Sequence, residues 1–320
     1  MKPWRRPWFV VPVSIGLVLG LGRGAVAAFS ATTTDGVNLF VAAADWEPPH
    51  VTRTIVAKTV GYLAGSIRQG GQFYVYAQID DAGNPPAGVG TVTADVSAFS
   101  TGGTVVSMVA GAFSAEGVPY NYRSAARTAI NPMPNGARAY AITMVDVATP
   151  ANSQTQTGFT VVIGNAAPAP VDMTSANRAG GTVGRAEQGD SITYRWSAPI
   201  DPESLMSGWD GGSPTTVTIR IKNMGPNDRL TVEGTAGTLN FGVVALQQNY
   251  AQGTREFAVS AITMIGNTVT IVLGIPSGGV NTVTVATPTT WQGDSGAYDA
   301  SGNPCSTATI TGSGSPRIDF

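Results

Sequence analysis

The sequence predicts an all-β protein of two tandem β-sandwich domains behind an N-terminal signal peptide, and three observations predict it. Glycine (40) and proline (21) make up about a fifth of the 320 residues, and only 12% are charged. Many short strands joined by tight turns is what such a composition supports. Apolar residues alternate with polar ones along most of the chain, with no stripe at a spacing of 3.6. A short apolar run lies directly behind a basic N-terminus. The length leaves room for about two domains of roughly 100–150 residues each. A hydrophobic fraction of 42% is enough to give each a core.

Residues 1–28 have the layout of a secretory leader. Lys2, Arg5 and Arg6 form a positive region, residues 9–21 an apolar one, and Ala25-Val26-Ala27 or Val26-Ala27-Ala28 supplies the small residues a signal peptidase needs. The apolar run of about 13 residues is too short to cross a hydrocarbon core of about 30 Å. Cleavage is expected near Ala27 or Ala28, leaving a secreted or cell-surface chain with no permanent membrane anchor. An extended N-terminal segment and linker follows over 29–48. It starts with Phe29, a Ser/Thr run at 30–34, and Asn38-x-Phe40-x-Ala42. These residues, about 20 in all, resemble the mature N-terminus of TasA/camelysin-type secreted proteins, a group that includes biofilm fibre subunits. The family's usual continuation is missing; Asp45-Trp46-Glu47-Pro48-Pro49 reads instead as a link into a new domain.

The first domain is expected over 49–164. Phe73, Val75, Ala77 and Ile79 share one face while Tyr74, Tyr76 and Gln78 take the other. Val92, Ala94 and Val96 repeat the pattern, as do Ile142 with Met144 and Phe159 with Val161 and Ile163. Gly/Pro/Asn clusters at 81–86, 102–103 and 131–136 punctuate these runs. A sandwich needs that spacing, because each strand crosses one layer and then reverses, and the immunoglobulin-like arrangement is the expected form.

Closely spaced prolines mark a linker at 165–170, and the pattern restarts over 171–320. Ile192, Tyr194 and Trp196 alternate with polar residues, as do Val217, Ile219 and Ile221, and then Val269, Ile271 and Leu273. Between the first two runs, Asp201 can cap a short helical turn, Pro202 fits its first position and Gly208 can end it. The domains echo each other: Gln69-Gly70 and Gln188-Gly189 precede alternating runs 119 residues apart. Residues 187–202, ending Ser197-Ala198-Pro199-Ile200-Asp201-Pro202, together with Asp299-x-x-Gly302-Asn303, resemble bacterial Ig-like repeats of the SbsA type over most of 168–320. In the first domain only Asp81-Ala82-Gly83-Asn84 matches the closing motif, and it sits early. The resemblance implies surface placement and spacer, adhesive or lattice roles, and carries no catalytic residues with it.

The residues that perform chemistry are sparse. His50 is the single histidine and reads as a linker residue, with no Gly-x-Ser-x-Gly elbow to accompany it. Cys305 is the single cysteine and reads as a small buried side chain. Asp201 and Glu203 suit a helix cap and first-turn anion better than a hydrolase carboxylate pair. Asp80-Asp81-x-x-Asn84 and Asp299-x-x-x-Asn303 offer oxygen ligands for calcium, but Asp, Asn and Gly are also the commonest turn formers. The turn is preferred, and no catalytic, cofactor or metal site is assigned. Trp46, Trp209 and Trp291 lie beside Gly or Pro, where a loop platform for sugars is physically possible and core packing the more ordinary role.

Four basic residues, Lys2, Arg5, Arg6 and Arg23, lie in the leader; without them 14 basic residues face 20 acidic ones, a balance of about −6. Such a chain does not follow a phosphate backbone, and nucleic-acid partners are not expected. The expected function is non-enzymatic: an extracellular structural or adhesive surface protein, self-assembling through its N-terminal segment in the sharper version. The alternative is a secreted glycan- or ligand-binding module using loop tryptophans. Expected partners are the chain itself, other surface proteins or cell-surface glycans.

Overall fold

In the computed structural model, which describes residues 45–83, 85–315 and 318–320, alternating runs become strands because one face of each has an interior to fill. Phe73, Val75, Ala77 and Ile79 are buried, while Tyr74 and Gln78 between them stay partly exposed. The leader, the segment 29–44 and Asn84 lie outside the described residues.

The first half forms one sheet from β1 (His50–Lys58), β2 (Ser66–Ile67), β3 (Gln72–Asp80), β4 (Val89–Asp95), β5 (Val106–Ala115), β6 (Val118–Ser124), β7 (Arg127–Thr128), β8 (Gly136–Asp146) and β9 (Ser153–Ile163). Its order is β1-β3-β6-β5-β4-β8-β9-β2, with β7 paired to β3. Gly65 joins the two ends of this path: its N–H donates to Val56 O of β1 (2.7 Å), and its carbonyl accepts from Val162 N of β9 (2.9 Å). The sheet therefore rolls over a single core containing Val56, Ile67, Phe73, Phe99, Ile142, Met144 and Ile163, which protects edges that would otherwise stay unpaired. Tyr76 is buried although it points away from this core. The β5–β6 hairpin covers it with Tyr120, and the Arg123 guanidinium lies 4.4 Å from the ring centres of both Tyr74 and Phe113.

The second half forms a separate sheet from β10 (Pro170–Ala176), β11 (Ser191–Trp196), β12 (Thr215–Lys222), β13 (Arg229–Gly234), β14 (Gly237–Thr238), β15 (Val243–Ala245), β16 (Arg255–Ile265), β17 (Thr268–Val272), β18 (Ile275–Pro276), β19 (Thr290–Gln292) and β20 (Thr309–Thr311). The order is β10-β11-β17-β16-β12-β13-β15-β19-β20, with β14 on β13 and β18 on β16. Its ends also approach, since Asp172 of β10 accepts from Ser313 N just after β20 (2.8 Å). The core is centred on aromatic rings: Trp291 lies 5.1 Å from both Tyr194 and Trp196, and Phe241 lies 5.3 Å from Tyr194. Among the described residues the protein is thus all-β apart from one turn of helix, α1 (Pro202–Leu205), with one large core in each half.

The abundant threonine has a structural use. Ser107, Thr93, Thr143 and Thr155 stand opposite one another across β5, β4, β8 and β9. Thr174, Thr193, Thr270 and Thr263 do the same across β10, β11, β17 and β16. Cross-strand pairs of this kind contribute about 0.2–1 kcal/mol each. The Gln-Gly echo is also structural: Gly70 (φ +70°) and Gly189 (φ +94°) adopt left-handed backbone just before β3 and β11.

Several local expectations change. His50 is not in a linker but opens β1, opposite Asp80. Asp45, in the expected link into the first domain, is buried; its carboxylate accepts from Glu47 N (3.0 Å) and Ala87 N (2.8 Å). The Pro-rich 165–170 segment is docked as well, through Gln69 N to Asn165 Oδ1 (2.9 Å) and Ser306 N to Pro168 O (2.8 Å). The prolines lack the N–H a regular ladder uses, but the segment's other backbone and side-chain groups still form tertiary hydrogen bonds.

One residue is held against its preference. β-Branched Val259 has φ +57° at a register shift where β16 meets β12, and its side chain is 72% exposed. Buried Ser260 pins the kink, donating to Phe257 O (2.8 Å) and accepting from Gly274 N (3.0 Å). Val259→Gly should remove the left-handed strain with little loss of burial and stabilise the fold by about 1 kcal/mol. A urea titration should show a higher midpoint; a lower one would mean that the valine contacts outweigh the strain.

Candidate functional site

The two sheets meet around an ion pair withdrawn from solvent. Lys58 ends β1 on the same face as buried Val56, so strand geometry directs its ammonium inward. Its Nζ lies 2.7 Å from Asp201 Oδ2, with side-chain exposures of 6% and 0%. Two further protons of the ammonium go to the Leu63 carbonyl and to Ala300 O (2.9 Å), which uses all three donors of a lysine. Asp201 is equally engaged. Its carboxylate accepts from Tyr62 N (3.0 Å), Leu63 N (3.2 Å) and Glu203 N (3.1 Å). Glu203 N belongs to α1, so Asp201 is the expected helix cap and also the counter-ion of a lysine 143 positions earlier.

Gly61 makes the approach possible. Its φ is +97°, and a Cβ there would stand 2.5 Å from Asp201 Oδ2 and 2.6 Å from Lys58 Cε. Around the pair, Asn303 Nδ2 donates to Gly164 O (2.7 Å), and the Ser66 and Ser301 hydroxyls hydrogen-bond across the seam. Asp299 holds this turn, accepting from Ser301 N (2.9 Å), Asn303 N (2.8 Å) and Asn303 Nδ2 (3.0 Å). The residues offered as calcium ligands at 299–303 therefore bond to one another as a turn. At 80–84, Asp81 Oδ2 accepts from Gly88 N (2.6 Å). Among the described residues no three carboxylate, histidine or cysteine groups converge as a metal site does.

Beside the ion pair lies a cavity of about 440 Å³, walled by Arg68, Gly70, Gly71 and Gln72 from the first half and Tyr298 and Pro304 from the second. Gly70 also borders a second cavity of about 520 Å³, lined by Ser100, Thr101, Arg127 and Asn131. The Tyr298 phenol is pushed up to about 12 by burial, with the Asp201 and Glu203 carboxylates adding to the shift. It stays protonated and able to donate across the physiological range.

The residues singled out in the sequence lie elsewhere. Trp209 and Trp291 are not loop platforms but core residues, 3% and 0% exposed. Their indole N–H groups donate to Ser213 O (3.2 Å) and Phe241 O (2.7 Å). Trp209 folds back from the turn that follows α1, whereas Trp291 is the central residue of β19, paired with Val244 and Ile310, and points to the inner face of the sheet. Trp46 is 67% exposed. Cys305 is buried as expected, and burial pushes its thiol up to about 11, leaving it unreactive. Sequence reasoning missed Lys58, Arg68, Arg127 and Tyr298. A signal existed for Lys58: the chain has only three lysines, and this one continues the inward face of an alternating strand.

No family model matches this chain, and no curated protein or solved structure matches it either.

Removing one charge of the pair leaves the other buried without a partner. Asp201→Asn should lower unfolding free energy by about 3–5 kcal/mol, read from denaturant midpoints; a loss under about 1 kcal/mol would mean that water reaches Lys58. Tyr298 adds a pH dependence. Below pH 10.0, the ordinary phenol value, both states keep the proton and stability is unaffected. Between there and about 12 the unfolded chain ionises first, so stability falls as pH rises. Tyr298→Phe should make that alkaline decline shallower in melts taken between pH 9 and 11, the remainder coming from buried tyrosines such as Tyr140, also pushed up to about 12; an unchanged slope would remove Tyr298 as a contributor.

Proposed function

We propose that this chain is an exported, non-enzymatic structural or adhesive protein of the cell surface, its two halves acting as tandem immunoglobulin-like β-sandwich domains behind a cleaved signal peptide. The observation that carries this reading is the seam. Lys58 and Asp201 join two separately cored β bodies with every strong donor and acceptor of the pair used. Both connecting segments are tied down beside strands. A stiff double body suits a spacer or lattice subunit, whose task is to hold a fixed distance, better than an enzyme that closes over substrate. The basic, apolar and small-residue regions of residues 1–28 support export.

The sharper version concerns residues 29–44, which are Thr-rich and β-prone. Freed by cleavage, this segment adds a strand to a neighbouring molecule, using main-chain hydrogen bonds for affinity. Negative-stain electron microscopy of the processed chain at micromolar concentration should show filaments or sheets, and deleting residues 29–44 should disperse them. Dispersed particles from the intact processed chain would overturn self-assembly.

A further inference from the structure

We propose that the two cavities meeting at Gly70 form one groove that binds an acidic polysaccharide, with uronate carboxylates paired to Arg68 and Arg127. This rests on the extracellular reading above and supplies it with a ligand class.

Charge is the first argument. The charged residues lining the two cavities are Lys58, Arg68 and Arg127, and no carboxylate is among them. Lys58 is neutralised by Asp201, which leaves two guanidinium groups as the net charge of the groove. The rest of the mature chain carries an acidic excess, so this concentration of positive charge runs against the background. Among the described residues Arg68 is exposed and forms no ion pair. Arg127 is anchored through Nη2 to Thr101 O (2.7 Å) and its Nε is buried, so it meets a ligand as a fixed positive charge. The exposed guanidinium of Arg68 offers a planar fork that matches a carboxylate with two parallel hydrogen bonds.

The walls suit a sugar. Tyr298 and Pro304 supply apolar surface for a pyranose face, and the protonated phenol and the Gln72 amide bond to hydroxyls. Gly70, Gly71 and Gly302 present backbone without side chains. Gly71 is needed for a second reason: a Cβ there would stand 2.9 Å from Arg68 Cγ. The shared wall is held in place, with Gly70 N donating to Ala129 O (3.2 Å), Ala129 N to Gly71 O (3.0 Å) and Met133 N to Gln69 Oε1 (3.3 Å). Binding therefore does not require that loop to be ordered first. The two volumes, about 440 and 520 Å³, lie in the range of ligand sites.

A nucleic acid fits less well. A duplex backbone carries one charge per roughly 1.7 Å, too dense for two arginines on an acidic protein. A polyuronate carries one carboxylate per sugar, a lower charge density that two guanidiniums can answer.

Isothermal titration of the purified processed chain with a galacturonate hexamer and a neutral glucan hexamer tests the proposal. The uronate should bind, with affinity falling as salt rises, and the neutral sugar should bind at least about 10-fold more weakly. Arg68→Ala should weaken uronate binding about 10-fold, and adding Arg127→Gln should abolish it. Equal binding by a double variant with unchanged melting temperature, equal binding of the neutral hexamer, or no uronate binding would each overturn the proposal. Tighter binding of a single-stranded oligonucleotide would overturn the sugar assignment. If Arg127→Gln unfolds the chain, Arg68→Ala decides alone, because that side chain is exposed. Filaments without uronate binding would reject the groove only; uronate binding without filaments would reject self-assembly only.

Discussion

A lysine and an aspartate cannot leave water together unless the protein replaces nearly every hydrogen bond that water made. The effective desolvation penalty is several kcal/mol per ion, and attraction across the pair offsets it only when the remaining donors and acceptors are also met. Lys58 and Asp201 meet that condition. The ammonium has a carboxylate and two carbonyls, and the carboxylate has the ammonium and three backbone N–H groups. These partners come from β1, the loop that follows it, the α1 cap and the 298–303 turn, so one arrangement of the two halves satisfies them all. An apolar seam tolerates sliding; a buried, directional one does not. Gly61 and Gly164 follow from the same constraint, since side chains there would strike Asp201 and Ser301.

The cleft inherits its shape from this junction. Lys58 is both the inner charge of the pair and part of the cavity wall, and Tyr298, whose carbonyl accepts from Asp201 N (2.8 Å), stands opposite Arg68 and Gln72. A groove with walls from two sheets is only as well formed as their docking. Here the docking is polar, buried and shared among several hydrogen bonds, which allows the groove to be formed in advance of any ligand. The large aromatics serve the other purpose: Trp196, Trp209 and Trp291 fill the second interior.

The low charge of the chain suits the same architecture. Rows of threonine, rather than of lysine and glutamate, run across its sheets, while most of the charged side chains discussed above have a specific partner. Arg220, for example, bridges Glu233 and Glu256 across β12, β13 and β16. Val259 is the counterexample, a strained and exposed valine in a kink that Ser260 and Gly274 hold from inside.

The sequence by itself determined the all-β class, the alternating core of β3, the Gly-led entries to β3 and β11, the Asp201 cap and the inert burial of Cys305. Each of these follows from near neighbours: side-chain period, backbone freedom at glycine, a capping oxygen beside free N–H groups. Only the tertiary structure decided that Asp201 also answers Lys58, that Trp209 and Trp291 face inward, that both Pro-rich segments are docked, and that Arg68 and Arg127 line two cavities bordered by the same Gly70. Those facts depend on contacts between residues tens to more than a hundred positions apart, and one-dimensional patterns carry no distance information at that range. A buried ion pair in particular leaves no periodic signature, because its partners are chosen by how two finished sheets meet.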